Sequence, residues 1–228
     1  MKFGKLADIS NVDFSLPTDP LWTQSFWEKL PATPIEAQLF LGCTGWSMKE
    51  WVGKVYPKGT KAADYLKEYA KQFNTIELNT THYRIPNPAM IEKWYRESTE
   101  DFRFCPKIPQ QISHSRDLGF GSGKTIEFCE AIQDLKEKLG CCFMQLPPYF
   151  GLDRLPVLNT FLANFPRHIP LAVEVRHESW FANADATEQL AECLQQHQTA
   201  AVITDVAGRR DVLHLLIKGW IGEVWHVD

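Results

Sequence analysis

Long runs of basic residues are missing from this 228-residue chain, whose formal net charge is −4 and whose pI is near 6.0. That leaves no electrostatic footprint for nucleic acid or an anionic membrane surface, and neither is expected as a partner. No apolar stretch reaches the roughly 20 residues of a membrane-spanning helix. The opening residues 1–10 carry no long apolar core of a signal peptide, so the expected location is the cytoplasm. The six cysteines (43, 105, 129, 141, 142 and 193) contain no C-x-x-C pair, and most sit inside apolar runs. Reduced core thiols account for them best. A dinucleotide fingerprint and a phosphate-loop Lys-Ser/Thr signature are also lacking, as is any H-x-x-E-H-like spacing. Neither a cofactor nor a metal is therefore expected.

What remains is an ordinary globular composition, 44% hydrophobic and 23% charged, sufficient for one large core. Residues 1–37 scatter aromatics (Phe14, Trp22, Phe26, Trp27) among four prolines (Pro17, Pro20, Pro31, Pro34) and read as an arm packed on a domain. From residue 38 onward, strand and helix patterns alternate. Strands are expected at 38–43, 75–80, 102–107, 141–146, from 171, and at 200–206. Helices are expected at 60–73, from Pro88, and at 125–139, 155–165 and 187–197, since apolar side chains there fall at helical spacing. The turn Gly42-Cys43-Thr44-Gly45-Trp46-Ser47 follows the first strand. Trp46, Trp51 and Tyr56 beyond it read as an aromatic loop capping a core more readily than as a ligand stack.

The most informative stretch is Leu171-Ala172-Val173-Glu174-Val175-Arg176-His177. Side chains two apart on a strand share a face, so Leu171, Val173 and Val175 point one way while Ala172, Glu174 and Arg176 point the other. The same alternation puts Glu77 with Asn79, Arg103 with Lys107, and Gln145 on a polar face, while Asp205 ends the sixth strand. Units of roughly 30 residues admit a doubly wound sheet or a TIM barrel. The barrel is preferred because polar strand faces make sense where they converge on a closed interior with its site at the C-terminal mouth.

Glu77, Glu174 and His177 are the candidate acid/base groups, since burial raises a carboxyl pKa and imidazole titrates near neutrality. Asn79, Arg103, Lys107, Gln145, Arg176 and Asp205, with His114 in the loop after the third strand, are candidate substrate contacts. Lys107 would form a Schiff base if desolvated, but Lys and Arg together more simply suggest anion recognition. Three acids and a histidine would also suit a divalent cation, which the neighbouring Arg103 and Arg176 disfavour. The bland alternative is a structural ion network, though buried ion pairs are weak stabilisers.

Several segments together resemble the YecE-like family of TIM-barrel proteins. They are Gly42 to Ser47 with Trp51 and Tyr56-Pro57, residues 75–84, residues 102–107, His114, Gln145-Leu146-Pro147-Pro148, residues 173–177 with Trp180, and Asp205. The resemblance implies the barrel fold and a polar pocket but no reaction, and it adds Tyr83 and Trp180 as substrate-binding candidates. About six of the eight units of such a barrel are recognisable. After about residue 214 the sequence stops resembling the family, so the 38–228 domain is expected to be truncated or altered there, with an open barrel. The expected function is acid/base catalysis on a small polar, anionic or sugar-like substrate at the barrel mouth. The alternatives are a non-catalytic ligand-binding barrel and an inactive fragment. Oligomeric state is not readable from the sequence.

Overall fold

The computed structural model describes residues 38–206 and 209–210, together with Ser10. The N-terminal arm expected over residues 1–37, Ser10 apart, and the altered tail after about 214 lie outside the described residues. Strands β1 (Gly42–Cys43), β2 (Thr75–Leu78) and β3 (Arg103–Pro106) form one parallel sheet in that order. Strands β4 (Cys142–Gln145), β5 (Leu171–Glu174) and β6 (Ala200–Ala201) form a second. Two backbone bonds of 2.8 Å join them, from the Gly140 amide to Phe104 O and from the Ile108 amide to Phe143 O. Six parallel strands therefore lie side by side in sequence order. Closure into a ring is not seen among the described residues.

The helices are α1 (Tyr65–Tyr69), α2 (Thr80–Tyr83), α3 (Pro88–Glu97), α4 (Gln110–Ser113), α5 (Lys124–Gln133), α6 (Leu155–Asn164) and α7 (Ala184–Gln196). Local chemistry sets the main boundaries. In α3, Pro88 occupies the first turn and Asn87 Oδ1 accepts the Met90 amide at 2.9 Å. In α7, Asn183 Oδ1 accepts the Ala186 amide at 2.9 Å. The long helix expected over 60–73 is a 3-10 turn (Ala62–Asp64) followed by the short α1. The one expected over 125–139 stops at Gln133, because Lys136 takes a positive φ of 53° and only a 3-10 turn (Lys136–Lys138) follows.

The sixth strand is also shorter than expected. The Val202 amide still bonds Val173 O at 3.0 Å, but β7 (Asp205–Val206) leaves the parallel ladder to pair antiparallel with β8 (Arg209–Arg210).

The two faces of the strands are packed differently. Ile76, Leu78, Phe104, Cys142, Met144, Leu171 and Val173 belong to the large cluster shared with the helices. Cys141, Phe143, Ala172, Ala200 and Val202 form a separate small apolar cluster on the opposite face. Trp46, Trp51 and Tyr56 pack with the large cluster, Trp51 stacking on Tyr69 at 6.3 Å and an interplanar angle of 8°. Strand β1 meets β2 closely enough that a Cβ on Gly42 would lie 2.0 Å from Thr75 O. The Tyr69 hydroxyl reinforces the contact, accepting from the Cys43 amide at 2.6 Å and donating to Thr75 O at 2.9 Å. The six cysteines are free thiols.

Candidate functional site

Above the small apolar cluster, towards the C-terminal ends of the strands, the same face turns polar. Phe143 is followed two residues on by Gln145, and Ala172 by Glu174 and then Arg176. Gln145 and Glu174 are paired neighbours in the parallel register, and Lys107 is the bridge partner of Phe143 on the other side. Three adjacent strands therefore aim Lys107, Gln145 and Glu174 at one another. Lys107 Nζ donates to Gln145 Oε1 at 3.2 Å, and Gln145 Nε2 donates to Glu174 Oε2 at 2.7 Å. Arg176 Nε lies 4.0 Å from Glu174 Oε1. The two contacts of Gln145 fix which way its amide points, since an ammonium only donates and a carboxylate only accepts.

Burial makes these contacts matter electrostatically. Lys107, Glu174 and Glu77 are all buried. Loss of hydration pushes the Lys107 amine below its ordinary value; Glu77 and Glu174 oppose that shift, and Arg176 adds to it. The ammonium also sits 5.3 Å from the centre of the Phe143 ring, a cation–π contact. Glu77 thus acts on the same cluster from β2. Thr81 holds the backbone of this corner, its hydroxyl lying 2.8 Å from Leu78 O and 2.7 Å from Lys107 O.

Two histidines pack beside this cluster. His82 Nδ1 lies 2.9 Å from Ile108 O and therefore carries the proton, leaving Nε2 as an acceptor. The His114 ring packs edge-on to that of His82, with centroids 5.5 Å apart. Both imidazoles are held below their ordinary pKa, each chiefly by burial. The Ile108 hydrogen bond opposes the shift at His82 and Lys107 adds to it; His82, Lys107 and Arg176 add to it at His114. Tyr83 is exposed beside His82, with ring centroids 5.3 Å apart. Sequence reading missed Tyr149, whose hydroxyl donates to His114 O at 3.1 Å. Its position directly after Pro147-Pro148 at the C-terminal end of β4 was the available signal.

Other sequence candidates lie elsewhere or do something different. Arg103 lies apart from Lys107. It starts β3, paired with Thr75, four residues and so about 13 Å below Lys107. Its guanidinium bonds Glu100 O and Phe102 O and lies over the Phe40 ring. Trp180 is also out of reach of a substrate, being fully buried, donating to Phe150 O at 2.8 Å and stacking on the Phe150 ring. The strand alternation that grouped Asn79 with Glu77 ends at Leu78. Asn79 stands at the N-cap position of α2 without a capping side-chain bond, and its amide instead reaches Thr44 O at 3.5 Å.

His177 serves as the N-cap of a 3-10 turn (Glu178–Phe181). Its Nδ1 accepts the Ser179 amide at 3.1 Å and lies 2.8 Å from Ser179 Oγ. With Nδ1 accepting the Ser179 amide, the neutral ring carries its proton on Nε2 and offers a donor there. The Asp205 side chain lies outside the described residues. No group of three or more His, Cys, Asp or Glu residues suited to a metal occurs among the described residues.

Comparison with known proteins agrees with the resemblance in the motifs. A model of the "Protein of unknown function DUF72" family matches residues 40–221. The chain belongs to the DUF72 family. The UPF0759 protein YecE of Escherichia coli (strain K12) is 35% identical over 167 residues, 73% of this chain and 59% of that protein. The UPF0759 protein YunF of Bacillus subtilis (strain 168) is 29% identical over 156 residues, 63% of this chain and 52% of that one. This DUF72 chain thus spans about three-fifths or less of the length of these relatives. Among solved structures, a DUF72 family protein from Enterococcus faecalis superposes with a TM-score of 0.59 at 25% identity, covering 73% of this chain and 60% of that one. Another, from Thermotoga maritima, gives 0.58 at 28% identity, with 73% and 64% covered. No helix among the described residues of this DUF72 chain is long and apolar enough to cross a membrane.

Proposed function

We propose that the DUF72 chain is part of a (β/α) barrel enzyme that performs acid/base chemistry on a small polar, anionic or sugar-like substrate bound over the C-terminal ends of β2 to β5. The observation that carries this reading is the hydrogen-bonded series Lys107, Gln145 and Glu174 on three neighbouring strands. Buried ionisable groups of both signs, held in fixed order on adjacent strands, are costly to keep for stability alone.

Glu174 is the proton acceptor. Lys107, whose amine is held below its ordinary value, is the matching donor, because an ammonium with a lowered pKa yields its proton more readily. Glu77 holds the charge of Lys107, and Gln145 fixes the geometry between the two. Arg176, His177 through Nε2–H, His114 and Tyr83 line the approach for substrate, with Asn79 anchoring the β1 loop beside them.

Barrel architecture is supported by the sequential order of six parallel strands, by the backbone bonds that join β3 to β4, and by the second apolar cluster on the face away from the helices. The free thiols suit a reducing compartment, the cytoplasm in this reading.

The test is a turnover screen of phosphorylated sugars and esters, repeated with Glu174→Gln and Lys107→Met. Loss of turnover with retained binding in both variants is the expected result. Saturable binding without turnover across the panel would instead make the pocket a non-catalytic ligand-binding site.

A further inference from the structure

Two large aromatics at the mouth of the site are exposed, Tyr83 at 78% and Tyr149 at 62%. They are not isolated. Tyr83 packs edge-on to His82 with centroids 5.3 Å apart, His82 packs edge-on to His114 at 5.5 Å, and Tyr149 donates to His114 O at 3.1 Å. The Tyr83, His82 and His114 rings form a strip over the segments that follow β2 and β3, and the Tyr149 hydroxyl joins it at the His114 backbone from the loop after β4. His82 ties the strip to the polar cluster, its Nδ1 lying 2.9 Å from Ile108 O, one residue from Lys107.

Among the described residues, the formal charge beneath the strip is balanced. Lys107 and Arg176 carry two formal positive charges against two negative ones on Glu77 and Glu174, and burial keeps His82 and His114 towards their neutral forms. An anion entering this recess would leave the excess charge uncompensated in a poorly hydrated place. A polyhydroxylated neutral ligand would not, because each hydroxyl both donates and accepts, and the recess alternates donors with acceptors in the order Lys107, Gln145, Glu174, Arg176. The apolar C–H face of a pyranose ring suits an exposed tyrosine ring.

We infer that the strip from Tyr83 to Tyr149 is a sugar-stacking platform and that the site takes a neutral pyranoside in preference to an anionic sugar. This rests on the proposed acid/base site and selects one of its two substrate classes. The test is saturation-transfer NMR and calorimetric titration of the whole chain with methyl β-glucoside, glucuronate and glucose 6-phosphate, on the wild type and on Tyr83→Ala and Tyr149→Ala. Circular dichroism checks that each variant is folded. The expected result is tighter binding of the neutral glycoside, weakened roughly 2- to 10-fold by each substitution.

Preference for glucuronate or the phosphate, or affinity indifferent to both substitutions, overturns the inference while leaving the acid/base site standing. Absence of binding by all three sugars to the folded protein overturns it as well. Glycoside binding with turnover unchanged in Glu174→Gln would do the reverse, removing the acid/base assignment and keeping the platform.

Discussion

Lys138→Met should destabilise the protein by about 2 kcal/mol although the side chain is nowhere near the candidate site. Lys138 is 5% exposed. Its ammonium donates to Tyr95 O at 2.6 Å, Ser98 O at 2.9 Å and Ser98 Oγ at 3.0 Å, and lies 4.6 Å from the Tyr95 ring centre. These acceptors stand at the C-terminal end of α3, where Ser98 is the cap residue. The cation thus satisfies carbonyls that the helix leaves unpaired and faces the negative end of its dipole.

Hydrogen bonds from a charged donor contribute roughly 1.5–3 kcal/mol each. Removing the ammonium also returns the several kcal/mol, roughly, that its dehydration costs. Methionine keeps the volume, so little cavity term enters. The balance of about 2 kcal/mol corresponds to a fall in Tm of roughly 4–8 °C for a domain of this size. Thermal melts and urea titrations followed by circular dichroism measure it. A variant that melts within about 1 °C of the wild type would show that the cap is dispensable and that the argument is wrong.

Gly42→Ala should cost roughly 1–3 kcal/mol or prevent folding, since the new Cβ meets a backbone oxygen that cannot turn aside; near-wild-type stability in urea would contradict the close approach of β1 and β2. Gly151→Ala places its Cβ 2.9 Å from Ser179 Oγ and 3.1 Å from His177 Nδ1, and should loosen the turn that starts at His177, read as faster amide exchange at Ser179; unchanged exchange there would refute it.

Lys107 should give stability a pH dependence of definite sign. Its folded pKa lies below the ordinary 10.5, so between the two values the unfolded chain binds more protons and the residue's contribution to stability rises with pH. Below the folded value that contribution is constant. The difference in unfolding free energy between the wild type and Lys107→Met should therefore grow in favour of the wild type as pH is raised towards 10.5, and a flat or falling difference would count against a buried amine.

The alternation of side chains made much of this site legible before any coordinates. Period two put Glu77, Lys107, Gln145 and Glu174 on one face, and the structure brings the last three into direct contact. Periodicity fixes the face but not the height along it, which is why Arg103 was grouped with Lys107 although it begins the strand that Lys107 follows. It also does not say where a strand stops, and Asn79 lies past the end of β2, at the start of α2. Trp180 shows a different limit: its indole N–H finds a carbonyl in the core, a three-dimensional fact with no local signature. The tautomer of His177 depends on a backbone amide two residues on, which composition does not reveal. Helix patterns were read as longer than the helices because amphipathic spacing runs through 3-10 turns as readily as through α-helix, as over Ala62–Asp64 and Lys136–Lys138.

Titration of the Lys107 side chain by its 13Cε chemical shift, in the wild type and in Glu174→Gln, tests most directly whether Glu77, Lys107, Gln145, Glu174 and Arg176 form one coupled recess. The account predicts a midpoint below the ordinary 10.5, because burial outweighs the two carboxylates, and a further fall in Glu174→Gln, where one of the stabilising charges is gone. A midpoint at the ordinary value that does not move when Glu174 is replaced would contradict it.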